Sequence, residues 1–129
     1  MQRSYDVFIE SIFRKRNHRK AAERAATLVL ESGWIRRQYT TSGWKATLMV
    51  VNTVGHLAEA AWHHPDLTVS HAFVIVKLQT HDAKGITDKD FELAAKIEQV
   101  VAWQPALEGG ALTGTPNEDA RFKYIKYDK

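Results

Sequence analysis

The stretch Trp62 to Asp82 reads WHHPDLTVSHAFVIVKLQTHD and carries the side chains best suited to chemistry. His63 and His64 stand side by side before Pro65, and His81 follows a run rich in β-branched residues. Imidazole can both give and take a proton near neutral pH, and it is also a common metal ligand. Three uses of the trio are open: a metal site, a proton-transfer site, or polar residues that merely face solvent. Zinc or iron would need all three rings on one ion with a position left over for substrate. Neighbouring histidines at a helix end diverge, and the usual helical ligand pair is four residues apart. The residues therefore point away from a metal. Acid–base work asks for less, namely one imidazole to donate and another to accept within reach of a substrate. Glu59 lies four residues before His63, so a helix running through both would place the carboxylate where it can fix the tautomer of the ring. Asp82 follows His81 at the start of a loop, where functional residues often gather.

The elements that must hold these residues can be read from periodicity. The run GWKATLMVVNTVGHLAEAAWHHP is a long helix, with Ser42 as its expected N-cap. Trp44, Leu48, Val51 (with Val54 or Gly55), Ala58 and Trp62 form its expected core face. Pro65 ends it near His63 or His64. LTVSHAFVIVKLQT is the strongest strand signal and is too long for one strand, so a hairpin is expected near Ser70–Ala72. HDAKGITDKD is a loop pivoting on Gly85. A second helix opens at Thr87, where Thr-x-x-Asp makes Asp90 the acid of a capping box, and ends before Pro105. Before the long helix, WIRRQYT alternates as a strand. The residues preceding it, Ala22 to Leu30, look helical, with Gly33 as C-terminal cap. The order α-β-(β)-α-β-β-α plus a C-terminal tail argues for an α+β fold. It would have a small antiparallel sheet of three to four strands with helices packed on one face.

Composition sets limits. The 129 residues suit one domain over 1–104, with a basic N-terminal helical segment, followed by a connector and tail over 105–129. The absence of cysteine rules out disulfides, a thiol nucleophile and thiolate metal sites, and it fits a cytoplasmic location. A net charge of +3 is small for a nucleic-acid binder, and FRKRNHRK reads as a solvated helix face. The opening MQRSYDVFIESIF lacks an uninterrupted apolar run, so neither a signal peptide nor a membrane span is expected.

The motifs EAAWHHP, THDAKGIT and DKDFELAAKIEQV resemble the pterin-4a-carbinolamine dehydratase family. Its signature is a glutamate, three residues, His-His-Pro, a hairpin, Thr-His, a glycine-containing loop and an aspartate opening the last helix. Glu59, His63, His64, Pro65, Thr80, His81, Gly85 and Asp90 match in order and spacing, and Trp44 matches the aromatic that begins the central helix. The resemblance covers Tyr39 to about Trp103. It implies dehydration of a 4a-hydroxytetrahydropterin to the quinonoid dihydropterin, with no metal and no redox cofactor. It also implies that His63, His64 and His81 surround the pterin; within that set our own expectation is that His64 and His81 form the acid–base pair and His63, tied to Glu59, orients. Glu59, Pro65, Thr80, Asp82 and Asp90 are the expected substrate-side residues. A homodimer or homotetramer follows by resemblance, and so does the alternative of a non-enzymatic protein-binding role, as in Rubisco assembly or transcriptional dimerisation. The sequence departs from the family before the central helix. Tyr39 and Thr41 stand where two phenylalanines are usual, and one of two strands looks abbreviated or missing. Trp62 replaces a frequent aspartate.

Overall fold

A computed structural model describes residues 29–116 and 118–127. The expected helix through Ala22 and the basic segment FRKRNHRK lie outside the described residues. Four strands and two α-helices follow in the order β1 (Val29–Glu31), β2 (Trp34–Thr40), α1 (Trp44–Ala61), β3 (Asp66–Ser70), β4 (Phe73–Leu78) and α2 (Asp88–Val101). A short 3₁₀ turn, Pro105–Glu108, comes next. The sheet is antiparallel throughout, in the order β1-β2-β4-β3. Both helices cover the same face, so the α+β arrangement is the one the element order implies.

The first correction concerns residues 29–33. Val29 and Leu30 are not the end of a helix. They form a strand paired with Arg36 and Ile35, and Glu31 pairs with Trp34. Ser32 and Gly33 make a two-residue turn with φ of 50° and 83°. Positive φ at both central positions is what a hairpin with right-handed strand twist requires. Glycine suits a helix C-cap and a hairpin turn for the same reason, so Gly33 could not distinguish them from sequence. The strand expected to be abbreviated or missing before the central helix is therefore present, abbreviated to 3 residues.

Strand alternation sets the core. Ile35 and Tyr39 of β2 and Val74, Val76 and Leu78 of β4 point towards the helices and are buried. They meet Val50, Val54 and Ala58 of α1 and Phe91, Ala94, Ile97 and Val101 of α2. Val54 and Ala58 of the expected core face of α1 are buried, but the face as a whole is rotated away from Trp44, Leu48 and Trp62. Its buried residues are Ala46, Thr47, Val50, Val54 and Ala58, while Trp44 is 51% and Trp62 75% exposed. The helix is apolar around most of its circumference, so periodicity left the phase undecided. Small side chains four apart let α1 approach the sheet closely, and the bulky ones turn outward. Ser42 is not the N-cap: Gly43 holds that position, and the Ser42 hydroxyl donates to the Lys123 carbonyl.

Arg37 also points inward, among apolar residues. Its Nε donates to Glu98 Oε1 at 2.8 Å, and the Tyr39 hydroxyl donates to the same oxygen at 2.8 Å. Burial of these charges is tolerable because they satisfy one another. The C-terminal residues return to the sheet. Lys126 N–H donates to Thr40 O (2.8 Å), Ser42 N–H donates to Tyr124 O (3.0 Å), and Ile125 joins the core. Among the described residues no helix is long and apolar enough to cross a membrane.

Candidate active site

The C-terminus of α1 delivers the histidine pair. Trp62 adopts a left-handed conformation, φ 53° and ψ 47°. Its N–H donates to Glu59 O (3.1 Å) and the His63 N–H donates to Ala58 O (3.1 Å). This pair of bonds is the Schellman arrangement, in which the left-handed position is usually glycine. The reversal takes His63 and His64 off the helix path before Pro65 enters β3.

That geometry overturns the expected Glu59–His63 pairing. Helical i, i+4 proximity holds only while the helix continues, and α1 stops at Ala61. His63 instead points to α2, where its Nε2 lies 2.6 Å from Asp90 Oδ1. Glu59 pairs with His64, with Oε1 2.9 Å from Nε2. The two pairs differ in surroundings. Side-chain exposure is 14% for His63 and 0% for Asp90, against 54% for His64 and 69% for Glu59.

Asp90 is the hub. Its Oδ2 accepts from the Thr80 hydroxyl (2.8 Å) and from the Thr87 N–H (2.9 Å). Thr80 Oγ1 also lies 2.7 Å from Thr87 Oγ1. Thr80 has one hydroxyl proton, and Asp90 takes it, so Thr87 must be the donor in the second bond. Asp90 thus both caps α2 and holds His63, and it ties together the end of α1, the end of β4 and the start of α2. With Asp90 as acceptor throughout, His63 carries its proton on Nε2 and leaves Nδ1 free in the neutral ring.

His81 sits one residue beyond Thr80, in a tight loop closed by Thr80 N–H to Gly85 O (2.9 Å) and Lys84 N–H to His81 O (3.1 Å). The strained position in that loop is Lys84, φ 52°, rather than the expected pivot Gly85. His81 is exposed, and its ring stands edge-on to Trp34 with centroids 6.3 Å apart. Each imidazole thus has its own partner. Hydrogen bonds join His63, Thr80 and Asp90 directly, join His64 to Glu59, and leave Asp82 exposed in the turn. Pro65 occupies the linker into β3. Among the described residues no group of three His, Asp or Glu side chains is arranged to hold a metal ion.

Sequence reasoning missed two aromatic partners. Trp34 opens β2 directly after the turn, and Trp62 stands edge-on to His64 with centroids 5.1 Å apart. A tryptophan immediately beside a histidine pair was the available signal for the second. Only the β1–β2 hairpin brings the first to His81.

The family model for pterin 4 alpha carbinolamine dehydratase matches residues 15–100. A relative from Aquifex aeolicus, provisionally named as a pterin-4-alpha-carbinolamine dehydratase, is 46% identical over 91 residues, covering 64% of this chain and 92% of its own. A relative of the same provisional name from Chloroflexus aurantiacus is 43% identical over 72 residues, covering 56% and 77%. The crystal structure of a transcriptional coactivator/pterin dehydratase from Brucella melitensis shares the fold, with a TM-score of 0.57 at 21% identity over 64% of this chain and 89% of that one. A pterin dehydratase-like protein identified as a RuBisCO assembly factor in the alpha-carboxysome also shares it, with a TM-score of 0.50 at 12% identity over 58% and 88%. With the family match spanning well over half the chain, on a sheet and helix pair of the same form, this protein belongs to the pterin-4a-carbinolamine dehydratase family.

Proposed function

We propose that this protein removes water from a 4a-hydroxytetrahydropterin to give the quinonoid dihydropterin. The observation that carries this reading is the chain His63–Asp90–Thr80. It fixes one imidazole at the meeting point of α1, β4 and α2. The reaction breaks the bond from C4a to the hydroxyl oxygen and removes a proton from a ring nitrogen. The electron pair of that N–H becomes the new carbon–nitrogen double bond, and the oxygen leaves as water once protonated.

His63 is partly buried and committed through Nε2 to Asp90, which suits it to orient the pterin and stabilise developing charge through Nδ1. His64 and His81 are exposed, which suits them to deliver the proton to the leaving oxygen and to take the one from nitrogen. Glu59 positions His64, and Thr80 positions Asp90. Pro65 and Asp82, which follow the histidine pair and His81 in the chain, complete the proposed substrate side. Positioned general acids and bases of this kind supply about 10²–10⁴-fold each. The test is stopped-flow dehydration of 4a-hydroxytetrahydrobiopterin by the wild type and by His63→Ala, His64→Ala and His81→Ala. An undiminished rate in all three ends the proposal.

A second reading, association with protein, is favoured by the exposed Trp44, Leu48 and Met49 along α1. Side chains of this type on one helix fit a homodimer or homotetramer, or a separate protein partner. Light scattering at several concentrations distinguishes a self-association surface from a monomer that needs a partner. This reading and the dehydratase reading are compatible, and a cytoplasmic site of action suits both.

A further inference from the structure

Residues beyond the family match build a feature of their own. The chain from Pro105 to Tyr127 folds back over the C-terminal end of α2 and the N-terminal half of α1. Between them lies an open hollow of about 500 Å³ walled by Met49, Val100, Trp103, Leu112, Tyr124 and Tyr127. It is at the opposite end of the helix pair from His63 and Asp90, since α1 and α2 run antiparallel. Its size falls in the range of about 300–1,000 Å³ typical of small-molecule sites.

Its chemistry is uniform. Among the described residues none that lines it carries a charge, and the polar groups present are hydroxyls, an amide, the Trp103 indole N–H and backbone. The Trp103 indole is held by its own Nε1–H donating to Glu108 Oε1 (3.1 Å), which presents the ring as a fixed flat wall. Gly114 turns the loop at φ 79°, a conformation that favours glycine, and packs beside Ala106 at ordinary van der Waals distance. Burial raises the Tyr124 phenol to about 12, so it stays a neutral hydrogen-bond donor. An ion entering such a site would lose its hydration without gaining a counter-charge, whereas a flat neutral ring system would stack on the aromatic walls.

We infer that this hollow is a second binding site, distinct from the histidine cluster, for an uncharged, flat, largely apolar small molecule bearing a hydrogen-bond acceptor. The Tyr124 phenol meets the acceptor, and Trp103 and Leu112 cover the apolar body.

Nile red, a neutral planar dye with a carbonyl acceptor, is the probe. On the full chain its fluorescence should rise and shift to the blue. Backbone amide shifts should change at Thr113–Thr115 and Tyr124–Tyr127, and remain unchanged at His63 and His81. Leu112 is 58% exposed, so Leu112→Glu should fold, and it should weaken binding by about ten-fold or more, because the ligand loses its apolar cover there and would have to strip water from the new carboxylate to dock. Anilinonaphthalene sulfonate, an anion of similar shape, should bind more weakly than Nile red. Amide shifts confined to other regions overturn the inference. So does unchanged affinity in Leu112→Glu, or signals at these residues that change on dilution of the protein alone, which would mark the hollow as an interface between copies.

Discussion

His63 and Asp90 are 27 positions apart in the chain and 2.6 Å apart in the fold. Asp90 is fully buried and also holds the hydroxyl of Thr80 and the N–H of Thr87. Asp90→Ala would deprive three donors of their acceptor at once. Each such loss costs about 1–3 kcal/mol where the donor stays buried, so urea unfolding should show a drop of at least about 2 kcal/mol. Asp90→Asn should fold better but present an amide to His63, with dehydration slowed by about 10–100-fold, the usual penalty for disturbing a group that orients a functional histidine. Equal activity in Asp90→Asn and wild type would show that the contact is only structural.

Glu59 and His64 form the contrasting pair, with both side chains more than half exposed. Glu59→Gln should change stability by less than about 0.5 kcal/mol, as exposed ion pairs generally do. Its effect should appear in kcat, with KM nearly constant, if the carboxylate positions the imidazole for proton transfer. Parallel urea and steady-state measurements separate the two outcomes.

Trp62 occupies a left-handed cap with φ 53° while its ring rests edge-on to His64. A residue with a Cβ pays about 1–2 kcal/mol in that region, and glycine does not. Trp62→Gly should therefore raise the melting temperature while lowering the dehydration rate, because His64 loses its neighbour. A fall in stability would mean that the indole contact outweighs the backbone strain.

The buried trio Arg37, Tyr39 and Glu98 should matter for folding and not for catalysis. Removing the carboxylate with Glu98→Leu takes a counter-charge from a buried guanidinium, at a cost of about 3–5 kcal/mol. Tyr39→Phe removes one neutral donor and should cost about 1 kcal/mol. Activity per folded molecule should be retained in Tyr39→Phe.

Tyr124 links alkaline stability to the C-terminal return. Burial, with a smaller contribution from Tyr127, raises its phenol from 10 to about 12. The unfolded chain releases that proton first as pH rises. The contribution is therefore fully present below pH 10 and is lost as pH climbs from 10 towards 12. Melting curves across this window should fall more steeply for wild type than for Tyr124→Phe.

Much of the fold and site was legible in the sequence because the signals were local. Alternation from Val74 to Leu78 gives β4 and Thr87 with Asp90 opens α2, each within a few residues of its cause, and Pro65 brings the end of α1 close, at Ala61 rather than at His63 or His64. The motif residues from Glu59 to Asp90 pointed to the family. What the sequence could not decide depended on contacts across the fold. Gly33 suits a cap or a turn equally, and only pairing with β2 makes Val29–Glu31 a strand. The phase of α1 was ambiguous because its apolar residues cover several faces, and packing against the sheet selected Val50, Val54 and Ala58. Which carboxylate meets which histidine was decided by the left-handed turn at Trp62. That turn swings His63 off the helix towards Asp90 and leaves Glu59 to His64. Helical spacing specifies neighbours only while the helix lasts, and beyond its end the packing of α1 against α2 sets the partners.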